Sequence, residues 1–561
     1  MYETLPTSVN NSEDVGIFAS GPDIHPEMSL LHFSFFSIGL FTGLLLSLLD
    51  TTIVATSLFD IGYEFQDLGH VNWVALAYTL TYLGFAVLIA RISDIIGRRN
   101  AFIASYLIFI AFSIACGCAD DLNQLIACRA IQGLGGSGLY SMTMIIFPEV
   151  SPPKLRPYIG GIIGFVVALS TVLGPILGGV LVHFVTWRWI FWINGPLGTI
   201  SMLLFYTLWP KTHASVNPRR RSWKNLDYIG SILLIAGSVL VVFPFQNAGD
   251  APNQWESAIF IAPLIIGAAS WLCLFIWSVF VDRNREDAVD AALPMRLMRD
   301  RVYVGAVLNT MLLGFPYLLL IYAFPRRLQI INGKGTLTAG AMLLSMLGPS
   351  ALGSLVVGIL NSKKNRTFET LLVGGCLTVL GCGLLSTLSS TYEVEWKALG
   401  FLVFVGLGFG LSVSTATMVA TMHSSPRDHA SAQGIIAQAR VLGGSIGIAA
   451  SSAILAVTLQ NHVGIPGVDY LTLAFDFDST EAPDFDSSRK ELLEYRGIME
   501  AYSDAFNESM RVCACIASIA VLSAFATAGR KQPNVVEYRE QQQEEEENEN
   551  KLAPLPQAVA A

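Results

Sequence analysis

Residues 31–58 read LHFSFFSIGLFTGLLLSLLDTTIVATSL, an apolar run in which Asp50 is the one carboxylate. About 20 apolar residues in helical form cross the hydrocarbon core of a bilayer. Runs of this kind recur along the chain. We place spans near 31–58, 71–90, 102–119, 122–147, 158–184, 189–210, 226–246, 257–281, 302–325, 337–360, 368–388, 395–421, 430–458 and 510–529. The composition agrees: 53% hydrophobic, mean hydropathy +0.53 and 14% charged, against about 25% charged in an ordinary soluble domain. The expected fold class is an all-α polytopic membrane protein with 14 transmembrane helices.

Lys and Arg set the orientation. The short gaps after even-numbered spans hold 19 of them, among them Arg91, Arg98, Arg99, Arg219, Arg220 and Arg221; the other short gaps hold 5. The first set is therefore expected in the cytoplasm, with both termini. Only the run Pro325–Lys334 leans the other way. Residues 1–30 contain no Lys or Arg and no apolar core, so they do not read as a cleavable signal peptide. They and the acidic tail 530–561, with QQQEEEENEN at 541–550, are expected to be disordered in the cytoplasm. The acidic stretch 459–509 is expected as an extracellular loop. Its sequon Asn507-Glu508-Ser509 is formally open to glycosylation, but closeness to the last span disfavours it.

A net charge of −9 without a basic stripe gives no support for nucleic-acid binding. All eight cysteines fall in or beside spans, so they read as packing residues and not as a disulfide framework. The histidines form no metal motif, and no nucleophile–base cluster marks an enzyme. No cofactor or metal is expected.

Four places carry more information. In the gap after span 2, Asp94-Ile-Ile-Gly97-Arg98-Arg99 must turn sharply, and Gly97 permits the backbone angles. Glu149 is the best-placed partner for Arg98 or Arg99. These residues read either as a gating loop or as plain positive-inside anchors. In span 4, Arg129 and Gln132 lie inside an apolar helix, where an Arg costs roughly 2.5–3.5 kcal/mol on insertion scales. Arg129 either faces an interior partner or snorkels outward. Asp50 in span 1 reads either as a functional acid or as a structural carboxylate bonded to a neighbouring helix. In span 5, Gly174-Pro175-Ile-Leu-Gly178-Gly179 puts small residues where helices can approach closely.

In order, LDTTIV (49–54), DIIGRR (94–99), RAIQGLGG (129–136), LGPILGG (173–179), WRWIFWINGPLG (187–198), LDYIG (226–230) and ARVLGGSIG (439–447) resemble the fourteen-span drug:proton antiporter branch of the major facilitator superfamily. The match is most like its fungal toxin and multidrug exporters, and it covers nearly the whole chain. Two departures stand out. The loop motif has Ala90 and Ile95 where the family has Gly and a basic residue, and the outer loop carries the pair Arg326-Arg327.

The resemblance implies a major facilitator fold. Two six-helix bundles, 31–210 and 302–529, would enclose a central cavity, with two extra helices in the linker 211–301 that serve packing and not the path. Glycines at matching places in spans 5 and 13 support a repeat that rocks about a midplane site. The implied function is proton-coupled antiport exporting small amphiphilic compounds from a fungal cell. Asp50 and Arg129 would couple protons, and Asn72, Trp73, Gln132, Gln246, Asn309, Tyr317 and Tyr322 would line the cavity. The expected partners are a small-molecule substrate, protons and the lipid bilayer. The protein is expected to be a monomer in the cell membrane, with the vacuolar membrane as the alternative. A same-fold importer of siderophores or vacuolar amino acids and a non-transporting receptor remain as rivals.

Overall fold

The computed structural model describes residues 29–54, 57–67, 71–152, 155, 158–210, 223–248, 256–284, 291–361, 365–424, 428–463 and 489–528. Most of the two tails and the centre of the 459–509 loop lie outside this set. The first half contains α1 (Leu30–Ile53), α2 (Leu58–Phe65), α3 (Asn72–Ile96), α4 (Arg98–Gly117), α5 (Leu122–Val150), α6 (Ile159–Phe184), α7 (Arg188–Trp192) and α8 (Asn194–Leu208). Between the halves come α9 (Tyr228–Ala248) and α10 (Ala258–Asn284). The second half contains α11 (Met295–Arg299), α12 (Arg301–Ile330), α13 (Thr336–Met342), α14 (Leu344–Asn361), α15 (Thr367–Leu385), α16 (Lys397–His423), α17 (His429–Val463) and α18 (Arg489–Ala524).

Thirteen stretches of these helices are long and apolar enough to cross a membrane. The fourteenth segment is α5, with 29 residues. Arg129, Gln132 and a row of glycines make it less apolar, and nearly all of its second half is buried. Its neighbours therefore satisfy what lipid could not.

The spans differ in detail from a plain reading of hydropathy. The first run ends at Ile53 and restarts as the separate α2. The sixth breaks between α7 and α8, where Pro196 falls in the first turn of α8, a position that tolerates a missing N–H. The last helix begins at Arg489, well before its apolar part, so both ends of the 459–509 segment are helical.

In the first bundle α5 packs on α3 and α4, and α1 packs on α6 and α8. In the second, α16 packs on α14 and α15, and α12 packs on α17 and α18. The bundles meet where α6 lies on α14 and α16, and where α17 lies on α3 and α5. The pair α9–α10 leans on both α3 and α17, and Gln438 donates to the Ser238 hydroxyl at 2.6 Å. Ile265, Leu272 and Ile276 leave α10 with an exposed apolar face suited to lipid.

Glycine sets the closest approaches. A Cβ on Gly174 would run into the Thr52 hydroxyl and come within 3.0 Å of the Ile53 amide nitrogen. On α17, Gly443 and Gly447 face backbone carbonyls of α12, the latter at 2.5 Å. Without side chains at these points, α6 meets α1 and α17 meets α12 nearly backbone to backbone. Gly179 has more room, with Leu337 Cα at 3.5 Å.

The same substitution should therefore give opposite results at two places in one motif. Gly174→Ala should lower the melting temperature in detergent by the equivalent of about 1–3 kcal/mol of overpacking. Gly179→Ala should leave it unchanged or raise it, because Ala is the better helix former. Equal effects at both positions would contradict the packing described.

Candidate functional site

Asp50 and Arg129 meet. Both are fully buried, and Arg129 Nη1 pairs with Asp50 Oδ2. Gln132, one turn along α5, donates to Asp50 Oδ1 at 3.2 Å and accepts from Arg129 Nη1 at 2.8 Å. Asn194, at the start of α8, donates to the same Asp50 oxygen at 3.1 Å. Arg129 Nε donates to the Val74 carbonyl at 3.1 Å. Its guanidinium lies 4.3 Å from the centre of the Tyr78 ring and 5.4 Å from that of Phe191. The carboxylate thus receives three donors from two other helices, and the cation is held between a carboxylate, an amide oxygen and two aromatic faces. Pairing of this kind offsets the cost of keeping two charges in a dry interior.

Local structure makes the meeting possible. A Cβ on Gly133 would lie 2.5 Å from the Tyr78 carbonyl oxygen, and one on Gly136 would strike the Tyr78 hydroxyl. These glycines bring α5 against α3, beneath the Tyr78 ring. Asn194 is held in turn by its contact to Ser113 at 2.9 Å.

The segment 187–198 anchors the arrangement from the end opposite the 97–99 loop. Trp187 and Arg188 donate to Glu64 on α2 at 2.6 and 2.5 Å. Arg188 also donates to the Ala119 carbonyl at 3.1 Å. Trp192 fills the space beside Gly117, where a Cβ would clash with its ring. Burial pushes the Glu64 carboxyl up, but the hydrogen bonds from Arg188 and Trp187 and the Arg188 charge outweigh it and hold the group below its ordinary 4.5.

At the other end, Gly97 adopts φ +92°, a conformation that an L side chain rarely adopts, so the turn needs glycine. Arg98 pairs with Asp94 at 2.6 Å and with Glu149 at 3.3 Å. Arg99 goes elsewhere: it donates to the Tyr206 carbonyl at 3.2 Å and stacks over that ring at 4.3 Å. Arg91 lies 3.9 Å from Asp94, 3.7 Å from Asp428 beside the start of α17, and donates to the Ala291 carbonyl at 2.7 Å. Arg91 thus links the first bundle to the second and to the linker at this basic face. Nothing but membership of the basic loop marks it in the sequence.

The other cavity candidates do not form one cluster. Gln132 belongs to the Asp50 network. Trp73 packs on Phe243 of α9, with ring centres 5.4 Å apart. Tyr322 donates to the Thr51 carbonyl at 3.1 Å, crossing from one bundle to the other. Tyr317 stacks on Phe409 and lies 3.3 Å from the Ser350 hydroxyl. Asn309 donates to the Ala520 carbonyl at 2.9 Å and accepts from Ser412 at 2.7 Å, clamping α12 to α18 and α16. Asn72 opens α3 and Gln246 lies near the end of α9; their side chains, like that of Pro175, lie outside the described set. Asn507 donates to the Leu388 carbonyl at 2.9 Å.

Residues 40–448 match the profile of the Major Facilitator Superfamily. The chain belongs to this family. Among curated relatives, the "MFS-type transporter FPY5" of Fusarium mangiferae is 34% identical, covering 86% of this chain and 81% of the relative. "MFS-type transporter VdtG" of Byssochlamys spectabilis is 28% identical, with 90% of each chain covered. "Multidrug resistance protein 3" of Bacillus subtilis (strain 168) is 28% identical, covering 74% of this chain and 78% of the relative. The fold is similar to that of the proton:xylose symporter XylE, with TM-score 0.56, 14% identity, and 91% of this chain and 98% of that chain covered. As a member of this family the protein is a multi-pass membrane transporter and not an enzyme.

The Glu64 clamp gives a pH test with a definite sign. A lowered carboxyl stabilises the fold above its unfolded value and loses that effect as the pH falls through the lowered one. Glu64→Gln should therefore melt below the wild type at pH 7, and the gap should close as the pH falls below about 4.5. A gap independent of pH would contradict the clamp.

Proposed function

We propose that this transporter is a proton-coupled antiporter of the cell membrane that exports small amphiphilic organic compounds. The observation that carries the reading is the Asp50–Arg129 pair, buried in the first bundle and hydrogen-bonded to Gln132 and Asn194. Intramembrane ionisable residues in transporters mark ion and proton pathways. The family membership and the name of the Bacillus subtilis relative support drug-like cargo.

The coupling step follows from the bonds present. A proton arriving at Asp50 forms an O–H bond and removes the negative charge facing Arg129. Arg129 then seeks other acceptors, in cargo or in water, as the bundles change their relative tilt. Release of that proton on the other side restores the pair. The Arg98–Asp94–Glu149 contacts and the Arg91 bridge to Asp428 would hold the basic face closed in one state and separate in the other. The bias of Lys and Arg in its loops supports a cytoplasmic position for that face.

Reconstituted vesicles with an imposed pH gradient test this, using a panel of fluorescent amphiphiles, acidic and cationic. At least one should accumulate against its own gradient. Asp50→Asn alone strands Arg129, at a cost of about 3–5 kcal/mol in stability. The double variant Asp50→Asn/Arg129→Gln removes both charges and should recover much of the melting temperature while remaining uncoupled. Arg129→Lys should restore little, because a point charge cannot replace the guanidinium fork. Gradient-driven accumulation by the well-folded double variant would show that coupling lies elsewhere.

A further inference from the structure

Arg440 differs from Arg129 in one decisive respect. It lies on α17, about three turns in from the basic face, and is 7% exposed. None of the ion pairs found among the described residues includes it. Its Nη1 donates to the Tyr140 hydroxyl of α5 at 3.1 Å, across the interface between the bundles. Its Nε donates to the Thr310 hydroxyl of α12 at 3.4 Å, and its Nη2 is buried without a hydrogen bond. The hydroxyl of Tyr82, on α3 and 2% exposed, lies within reach of the Arg440 charge and has Ser47 of α1 as its neighbour. The rings of Tyr78, Tyr82 and Tyr140 form a continuous wall, with successive centres 5.8 and 5.9 Å apart.

The mounting is rigid. A Cβ on Gly314 would lie 2.5 Å from the Arg440 carbonyl oxygen, so α12 and α17 touch at this residue. The guanidinium, held by Thr310 and Tyr140 at 7% exposure, does not snorkel to water. Neutral hydroxyls solvate a guanidinium in part but leave its charge unbalanced in a low-dielectric interior. A guanidinium with a free donor, beside the Tyr82 and Tyr140 hydroxyls and an aromatic wall, matches the oxyanion of an amphiphilic acid, with the apolar body laid along the rings.

We propose that Arg440, Tyr140 and Tyr82 form a binding subsite for the anionic group of the transported compound, a carboxylate carried on an apolar aromatic or aliphatic body. The two bundles contribute opposite sides of the subsite, so such an anion would be held by both halves. Naming the bound anion as cargo rests on the export reading; binding itself needs no gradient.

The full-length protein in lipid nanodiscs tests this with three acids, 1-pyrenebutyric, 1-naphthaleneacetic and decanoic, each against its primary amide and with empty nanodiscs subtracted. At least one acid should bind about 10- to 100-fold more tightly than its amide, as a charge-assisted hydrogen bond allows. Arg440→Gln should erase that preference while amide binding persists, Arg440→Lys should reduce it, and Tyr82→Phe should weaken it. Because the charge is unbalanced in the free protein, Arg440→Gln should melt no lower than the wild type without ligand. The proposal is overturned if no acid binds better than its amide, or if the preference survives Arg440→Gln. A lower melting temperature of unliganded Arg440→Gln, or a failure of that variant and Arg440→Lys to fold, would make Arg440 a structural pin and also overturn it. Chloride and acetate are the competing anions, and an equal effect from either overturns the assignment to an amphiphilic acid. Loss of gradient-driven export with the acid preference intact would count against proton coupling and not against this subsite.

Discussion

A carboxylate and a guanidinium cannot be left apart in hydrocarbon, and the pairing of Asp50 with Arg129 imposes that constraint on three helices at once. To keep both charges dry, α1, α5 and α8 must present Asp50, Arg129, Gln132 and Asn194 at hydrogen-bonding distance. The rest of the first bundle follows from this. Glycines bring α5 onto α3 beneath the Tyr78 ring, and the Trp187–Arg188 clamp on Glu64 fixes the entry to α8. A paired charge is stable, and a proton reaching the carboxylate would release its cation, as the proposed coupling requires.

The second bundle is built differently. Its close contacts are again glycine to backbone, at Gly443 and Gly447 against α12. Its polar contacts are mostly neutral, such as the Asn309 clamp and the Gln433 bonds to Thr417 and Thr421 at 3.2 and 2.8 Å. Arg440 stands at the seam, bonded to both halves by hydroxyls alone. The two halves thus divide the labour: the first holds a self-contained ion pair, and the second offers a cation across the interface. The linker helices join the seam through Gln438 with Ser238 and through Arg91 with Ala291. They are therefore more closely tied to the interface between the bundles than an apolar pair of adaptor helices would be.

Much of the fold was legible because hydrocarbon is a strict solvent. Long apolar runs, the bias of Lys and Arg and the GPxxGG grouping each have one dominant physical cause. Asp50 and Arg129 stood out for the same reason: a charge in such a run demands a partner. Asn194 did not stand out, since a neutral amide beside Gly195-Pro196 reads as turn chemistry until its contact to Asp50 is seen. Arg91 was hidden among anchoring cations, and only the fold brings Asp428 to it. Asn309, read as cavity-lining, sits in a three-helix clamp, because a period of 3.6 cannot tell a cavity from a helix contact. The breaks after Ile53 and between α7 and α8 were invisible to hydropathy, which registers apolarity and not backbone continuity.

We propose that Asp50 changes its protonation state while Arg129 changes partners. Infrared difference spectroscopy of the protein in nanodiscs, recorded across the pH range over which it transports, reads this directly. A protonated-carboxyl band should appear on acidification and be missing in the Asp50→Asn/Arg129→Gln variant. An Asp50 that stays ionised at every pH at which transport runs would contradict it.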